Sequence, residues 1–317
     1  MTPNTTIKFI QDLSKFTQTQ LMIGFSVYKG IKKSMDLWVQ SELLDEFLDL
    51  CDKYNLYCKY DVKFIYTDTV KQFKKVIWAK NLTTTKVFWE SIDSPNKWLI
   101  HVFISYKEEY VDKLYAYGWY PVVVKNRVIY KSYHDLTEFG YYLGYPECCR
   151  KFFFQKNDWR YYNFPYEIYQ RSKEYDYRCN PFWKDIFPMS YIYHMPCKFD
   201  CADTIAYVNK IEKTLEKEDK KLLKNIRKYM KLPILSIREK ITYAFKWNLI
   251  DKNTCIYNDY YELWDSRESD LSTYIKKWNK IKIEDNLVIF YNNDNIIYKY
   301  DTTKSDEIEK AFFIQFK

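Results

Sequence analysis

The first 130 residues alternate between two hydrophobic periods. LMIGFSVY (21–28), YDVKFIYT (60–67) and KWLIHVFISY (97–106) are apolar or alternating runs rich in β-formers, and they predict strands. SELLDEFLDLCDKYN (41–55) spaces its apolar residues for one face of a helix, and KEEYVDKLYAYG (107–118) predicts a shorter helix ended by Gly118. YPVVVKNRVIY (120–130) predicts a strand pair turning at Lys125-Asn126. After a segment dense in aromatics, proline and cysteine, a long amphipathic helix is expected from Ala202 to Pro233. Ile205, Val208, Ile211, Leu215, Leu222, Ile226 and Tyr229 form its apolar stripe, and Glu216 and Lys220 form a supporting pair. A second helix is expected around 236–247, a hairpin over 287–300 turning at Asn292–Asn295, and a closing helix near 304–314. These elements predict an α+β protein. Residues 1–130 would form a mixed α/β domain. Residues 131–317 would hold a cysteine-rich centre and a mainly helical C-terminal part with a small hairpin.

Composition narrows this picture in three ways. Hydrophobic residues make up 47% of the 317, enough for a substantial core. The aromatic share of 20% accompanies abundant Lys, Asn and Ile and only 5 Gly, so a compositional bias accounts for most of it. The net charge of +8 is compatible with a nucleic-acid partner, but its distribution does not indicate one. The densest basic stretch, Lys210–Lys231, also carries Glu212, Glu216, Glu218 and Asp219, as a solvated helix face would. The glycines lie too far apart for a phosphate loop, and neither an H-E-x-x-H nor a G-x-S-x-G motif occurs. With neither a signal-like start nor an apolar run of membrane length, the expectation is a cytoplasmic protein without a membrane partner.

Eight cysteines are too few and too clustered for a disulfide scaffold, and in a reducing compartment grouped cysteines point to metal ligation or catalytic thiols. In GYYLGYPECCRKFF (140–153), a helix starting near Asp135 should end around Gly144, and Pro146 suits the start of a new one. Cys148 and Cys149 then lie in a first turn, where backbone N–H groups and the helix dipole favour thiolates. In YHMPCKFDCADT (193–204), two geometries suit the cysteines. Either Cys197 and Cys201 share a helical face, or Cys197 lies on the entering loop and Cys201 at the helix start. The four sulfurs are candidate metal and cofactor ligands. His194 is a candidate ligand, supporting donor or proton donor, and Glu147 and Arg150 are candidates for acid–base work and anion binding. Cys179 is a candidate additional ligand or resolving thiol. Cys51, Cys58 and Cys255 read as small buried hydrophobes, His134 as a capping residue and His101 as a core histidine. Tyr141, Tyr142, Tyr145, Phe152 and Phe153 either wall off the site or form plain core.

Four thiolates suit tetrahedral zinc or an iron–sulfur cluster. The adjacent pair favours a cluster, expected as [4Fe-4S], because separate irons can take the two sulfurs. Such a protein could serve sulfur transfer or redox modification of a substrate the sequence does not identify. Zinc in a structural knot is the alternative cofactor, and a metal-free thiol enzyme with Cys148 or Cys149 as nucleophile and His194 as base is the third reading. The tandem-cysteine layout is loosely similar to the cysteine-rich repeats of heterodisulfide reductase subunits and to the cluster site of the respiratory complex I small subunit. It departs from the first at Arg150, where that family has glycine, and in its final spacing. Leu143, Gly144, Tyr145, Pro146, Cys148 and Cys149, followed by His194, Pro196, Cys197 and Cys201, resemble an uncharacterised prokaryotic, mainly archaeal, domain family with Leu-Gly-Tyr-Pro-x-Cys-Cys and His-x-Pro-Cys-x-x-x-Cys motifs. The resemblance spans roughly residues 130–210 and implies one site built from both motifs. It implies no reaction.

Overall fold

The computed structural model describes residues 5–66, 87–90, 99–117, 120–124, 127–131, 135–155, 164–238, 241–246, 249–265, 271, 275, 277–303 and 310–317. The chain divides into two compact units, Met1–Tyr145 and Pro146–Lys317. Both mix helices with antiparallel sheets, so the protein is α+β. Among the described residues, no helix is long and apolar enough to cross a membrane.

The first unit runs α1 (Thr5–Leu13), α2 (Leu21–Tyr28), β1 (Ser34–Gln40), α3 (Leu44–Lys53), β2 (Tyr57–Tyr66), β3 (Val87–Glu90), β4 (Leu99–Ser105), α4 (Glu108–Tyr117), β5 (Tyr120–Val124), β6 (Arg127–Lys131) and α5 (Leu136–Tyr142). The sheet has the order β1-β4-β2-β3, and β5 and β6 form a separate hairpin. Its expected turn at Lys125-Asn126, like Gly118, lies outside the described residues. The run 21–28, expected as a strand, is a helix instead. Residues 21–27 are all buried, so the segment is apolar on every side and carries no period to distinguish helix from strand. Gly24 also matters there, since a side chain at that position would collide with Leu13 of α1.

α5 begins and ends as its sequence suggests. Asp135 caps it, accepting from the amides of Thr137 (2.8 Å) and Glu138 (3.1 Å). Gly144 closes it at φ +72°, and its amide reaches the carbonyl of Tyr141 while that of Tyr145 reaches Gly140. This paired closure satisfies carbonyls that would otherwise be orphaned. His134 lies outside the described residues. His101 is a buried core histidine of β4, 3.0 Å from Asp36 and stacked on Trp38. Cys51 is buried, whereas Cys58 is half-exposed.

The second unit runs α6 (Glu147–Phe154), α7 (Phe164–Arg171), a short 3-10 turn (Tyr177–Cys179), α8 (Ala202–Glu218), α9 (Lys220–Met230), β7 (Ile234–Arg238), β8 (Ile241–Phe245), β9 (Leu249–Asp251), β10 (Thr254–Ile256), β11 (Tyr260–Asp265), β12 (Lys280–Glu284), β13 (Leu287–Asn292), β14 (Asn295–Asp301) and β15 (Phe312–Ile314). The sheets are ordered β14-β13-β12-β10-β9 and β11-β8-β7-β15, and one core joins them through Tyr243, Phe245, Cys255, Ile281, Phe290 and Phe313.

Three expectations need correction in this unit. The helix expected over 202–233 is two helices. Asp219 leaves helical geometry at φ −153°, and its carboxylate accepts from the Leu222 amide at 2.9 Å to start α9. The Glu216–Lys220 spacing therefore straddles a break. The helix expected at 236–247 is the β7–β8 hairpin, whose second strand is buried at every position and so shows no alternation. Phe312–Ile314, expected in a closing helix, pairs with β7, and residues 304–309 lie outside the described set. The C-terminal part is accordingly rich in strands. The 287–300 hairpin forms as expected, with Asn293 at φ +55° in its turn.

Candidate metal centre

α6 starts immediately after Pro146, whose extended backbone (ψ 142°) brings the chain into the helix. Cys148 and Cys149 are therefore the second and third helical residues, among amides that have no partner within the helix. Of the two geometries open for the second motif, the structure adopts the later helix start. Cys197 lies on the entering loop and Cys201 is the residue that caps α8. The loop is held by the Phe199 amide donating to Ser172 (2.6 Å) and its carbonyl accepting from Asp176 (3.0 Å).

These elements bring the four sulfurs together. The Sγ atoms of Cys148, Cys149, Cys197 and Cys201 all lie within 4.8 Å of one another. Cys148 is 3.5 Å from Cys201, Cys149 is 3.7 Å from Cys201, and the adjacent pair is 3.9 Å apart. Cys149 and Cys201 are buried while Cys148 and Cys197 are half-buried, so one side of the group is nearer solvent. Ile205 packs against it from α8. The donor set fits a soft or borderline cation, and four thiols at these distances could hold a metal ion.

The electrostatics point the same way. Thiol hydrogen bonds from Cys149 and Cys197, with the hydroxyl and amide of Thr204 adding to them, hold Cys201 far below the usual thiol range. Cys149 is pushed far up by its hydrogen bonds with Cys197 and Cys201 and by burial. Burial and then the neighbouring Cys201 raise Cys148. Alone, the cluster thus favours one thiolate and resists further ones. A bound cation would offset the repulsion among four.

The surrounding residues divide sharply. His194 is buried but is not among the four-sulfur group; its Nε2 lies 3.1 Å from Thr204 Oγ1, which in turn lies 3.6 Å from Cys149 Sγ. The hydroxyl can accept from the imidazole N–H and give its single proton to one sulfur of the cluster, Cys201 or Cys149, so His194 is linked to the sulfurs through Thr204. Glu147 instead pairs with Lys151 at 2.7 Å on the solvent face, and that bond lowers its carboxyl below the ordinary range. Arg150 follows Cys149 in α6 and is half-buried. Cys179 is fully buried beside the group and donates its thiol to the Cys201 carbonyl at 3.7 Å, outside the four. Phe152 is core of the second unit, Phe153 is exposed, and Tyr142 and Tyr145 pack on the core of the first.

Two residues of the site had no role in the sequence reading. Thr204 is fully buried and links His194 to the sulfurs, and Asp203 Oδ2 accepts from the Cys148 thiol at 3.3 Å. The available signal was positional: both stand in the first turn of the helix that Cys201 caps. The amide of Cys197 adds a further donor, 3.3 Å from Cys149 Sγ.

No protein-family model, curated protein or solved structure matches this chain.

Proposed function

We propose that Cys148, Cys149, Cys197 and Cys201 hold a single tetrahedral zinc ion as a structural staple, and that the protein is a metal-stabilised interaction protein. The observation that carries this reading is the sulfur spacing. A Zn–S bond of about 2.3 Å gives a tetrahedron with edges of about 3.8 Å; the three pairs among Cys148, Cys149 and Cys201 are 3.5, 3.7 and 3.9 Å apart, and Cys197 lies within 4.8 Å of each. A cubane cluster binds each thiolate outward from a different iron and so spreads the sulfurs further. The spacing supports one ion over the cluster that the tandem cysteines suggest. Four protein ligands close the coordination shell, as in structural rather than catalytic zinc sites. The ion would tie the first turn of α6, the 193–201 loop and the start of α8 to one point. The thiol-enzyme reading is less well supported, because the His194 imidazole is bonded to Thr204, whose hydroxyl lies between it and Cys149.

Anaerobic purification followed by metal and sulfide analysis tests the proposal. One zinc per chain is expected, with each of the four Cys→Ala variants losing it. Iron with acid-labile sulfide, or metal retained by three of the four variants, would overturn it.

A further inference from the structure

The segment 210–231 looks charge-balanced in sequence, and folding separates its charges. Glu212 turns inward, buried, and binds Arg227 (2.7 Å), Tyr177 (3.0 Å) and Tyr191 (2.7 Å). Asp219 is used as the cap between the helices. Glu218 is half-buried, which leaves Glu216 as the fully exposed acidic side chain of the segment. Lysines occupy what remains. On α9, Lys220, Lys221, Lys224 and Lys228 are all exposed, and at about 100° per residue they fall in a sector about 100° wide. Leu223, Ile226 and Met230 fill the opposite side and are buried. None of the four lysines makes an ion pair with any described residue. On α8, Lys210, Lys213 and Lys217 repeat the arrangement, exposed opposite Val208, Ile211 and Leu215.

We infer that the lysine face of α9 binds the phosphate backbone of a nucleic acid. From Lys220 to Lys228 the helix rises about 12 Å, the axial length of roughly three to four phosphates on one strand. The stripe carries positive charge without an acidic partner on α9, which is the complement a polyphosphate requires. A membrane surface fits less well. A helix lying in a bilayer interface inserts its apolar face, and here that face is committed to the protein core. The contacts are to phosphate, so binding is expected to be largely independent of sequence. The inference does not depend on which ion the cysteines hold.

The test uses the full-length, metal-loaded protein with two fluorescent probes, a mixed-sequence 20-nucleotide single-stranded RNA and a 20-base-pair DNA duplex. Anisotropy is followed between 50 and 200 mM salt. At least one probe should bind at low salt. The quadruple variant Lys220→Gln, Lys221→Gln, Lys224→Gln, Lys228→Gln should weaken that binding at least tenfold while keeping the wild-type metal content and melting temperature. On RNA, the log–log salt slope should fall by about 3, since each lysine releases about 0.7 counterion from a single strand. Binding of neither probe would overturn the inference, as would a quadruple variant that binds unchanged. So would binding confined to vesicles of phosphatidylcholine with 30% phosphatidylserine.

Discussion

Replacing Thr204 by valine removes one hydroxyl and leaves the side-chain volume nearly unchanged. In the folded protein that hydroxyl lies 3.1 Å from His194 Nε2 and 3.6 Å from Cys149 Sγ, at a position with no solvent exposure. Water cannot substitute for it. Loss of such a supporting hydrogen bond weakens metal affinity by about 10- to 100-fold, equivalent to about 1.4–2.7 kcal/mol. The imidazole nitrogen it abandons remains buried, at a further cost to folding of about 1–3 kcal/mol. Thr204→Ser keeps the hydroxyl and deletes only a methyl group, costing about 1 kcal/mol of packing. The two variants therefore separate chemistry from volume. The assay is anaerobic competition for zinc against a chromophoric chelator at pH 7, alongside thermal unfolding of the loaded protein. Valine should lower affinity within the stated range, and serine should bind zinc nearly as wild type does while melting slightly earlier. Wild-type affinity in Thr204→Val, or equal impairment in both, would refute the role assigned to the hydroxyl.

Other expectations follow from the same geometry. Glu212→Ala should destabilise the second unit by about 3 kcal/mol in denaturant titration, the low end for a broken buried pair, because Arg227 is 41% exposed and regains water. Burial raises the Glu212 carboxyl, but the bonds from Arg227 and the tyrosines outweigh it and leave it below the ordinary range. The stability it contributes is therefore present above the usual carboxylate value and lost as pH falls through the lowered one, a slope that Glu212→Gln should flatten. Lys32 is buried in the first unit, donates to the Leu143 carbonyl, and is held down to about 7 by desolvation. Its unfolded form binds the proton more tightly, so stability should rise with pH from about 7 to about 10.4. Lys32→Met should abolish a difference on the order of 5 kcal/mol across that window, and an unchanged pH profile would count against the burial. Gly144→Ala places a side chain at φ +72° and 3.2 Å from Lys32 Cγ, and should cost about 1–2 kcal/mol by thermal unfolding.

Much of the site could be read in advance because its residue types are rare and its helix boundaries are strongly marked. Asp135, Gly144 and Pro146 set where α5 ends and α6 begins, and this places Cys148 and Cys149 in a first turn. The second motif left two helix starts open, and the backbone chose the one that makes Cys201 a cap. Thr204 and Asp203 stayed hidden because threonine and aspartate are ordinary residues in a first helical turn. The spacing of the four sulfurs depends on how two distant segments approach, and no local pattern encodes that. The fold was least legible where burial is two-sided. α2 and β8 are buried on all faces, so the period that separates helix from strand is missing from both. Asp219 shows a different difficulty, since the hydrophobic stripe runs through it unbroken while its side chain starts a new helix.

X-ray absorption at the metal edge of the purified protein tests the central claim most directly. One ion held by the four cysteines predicts a zinc edge with about four sulfur neighbours at about 2.3 Å and no metal–metal shell. An iron edge with a metal–metal shell, or zinc with nitrogen or oxygen in place of any sulfur, would contradict it.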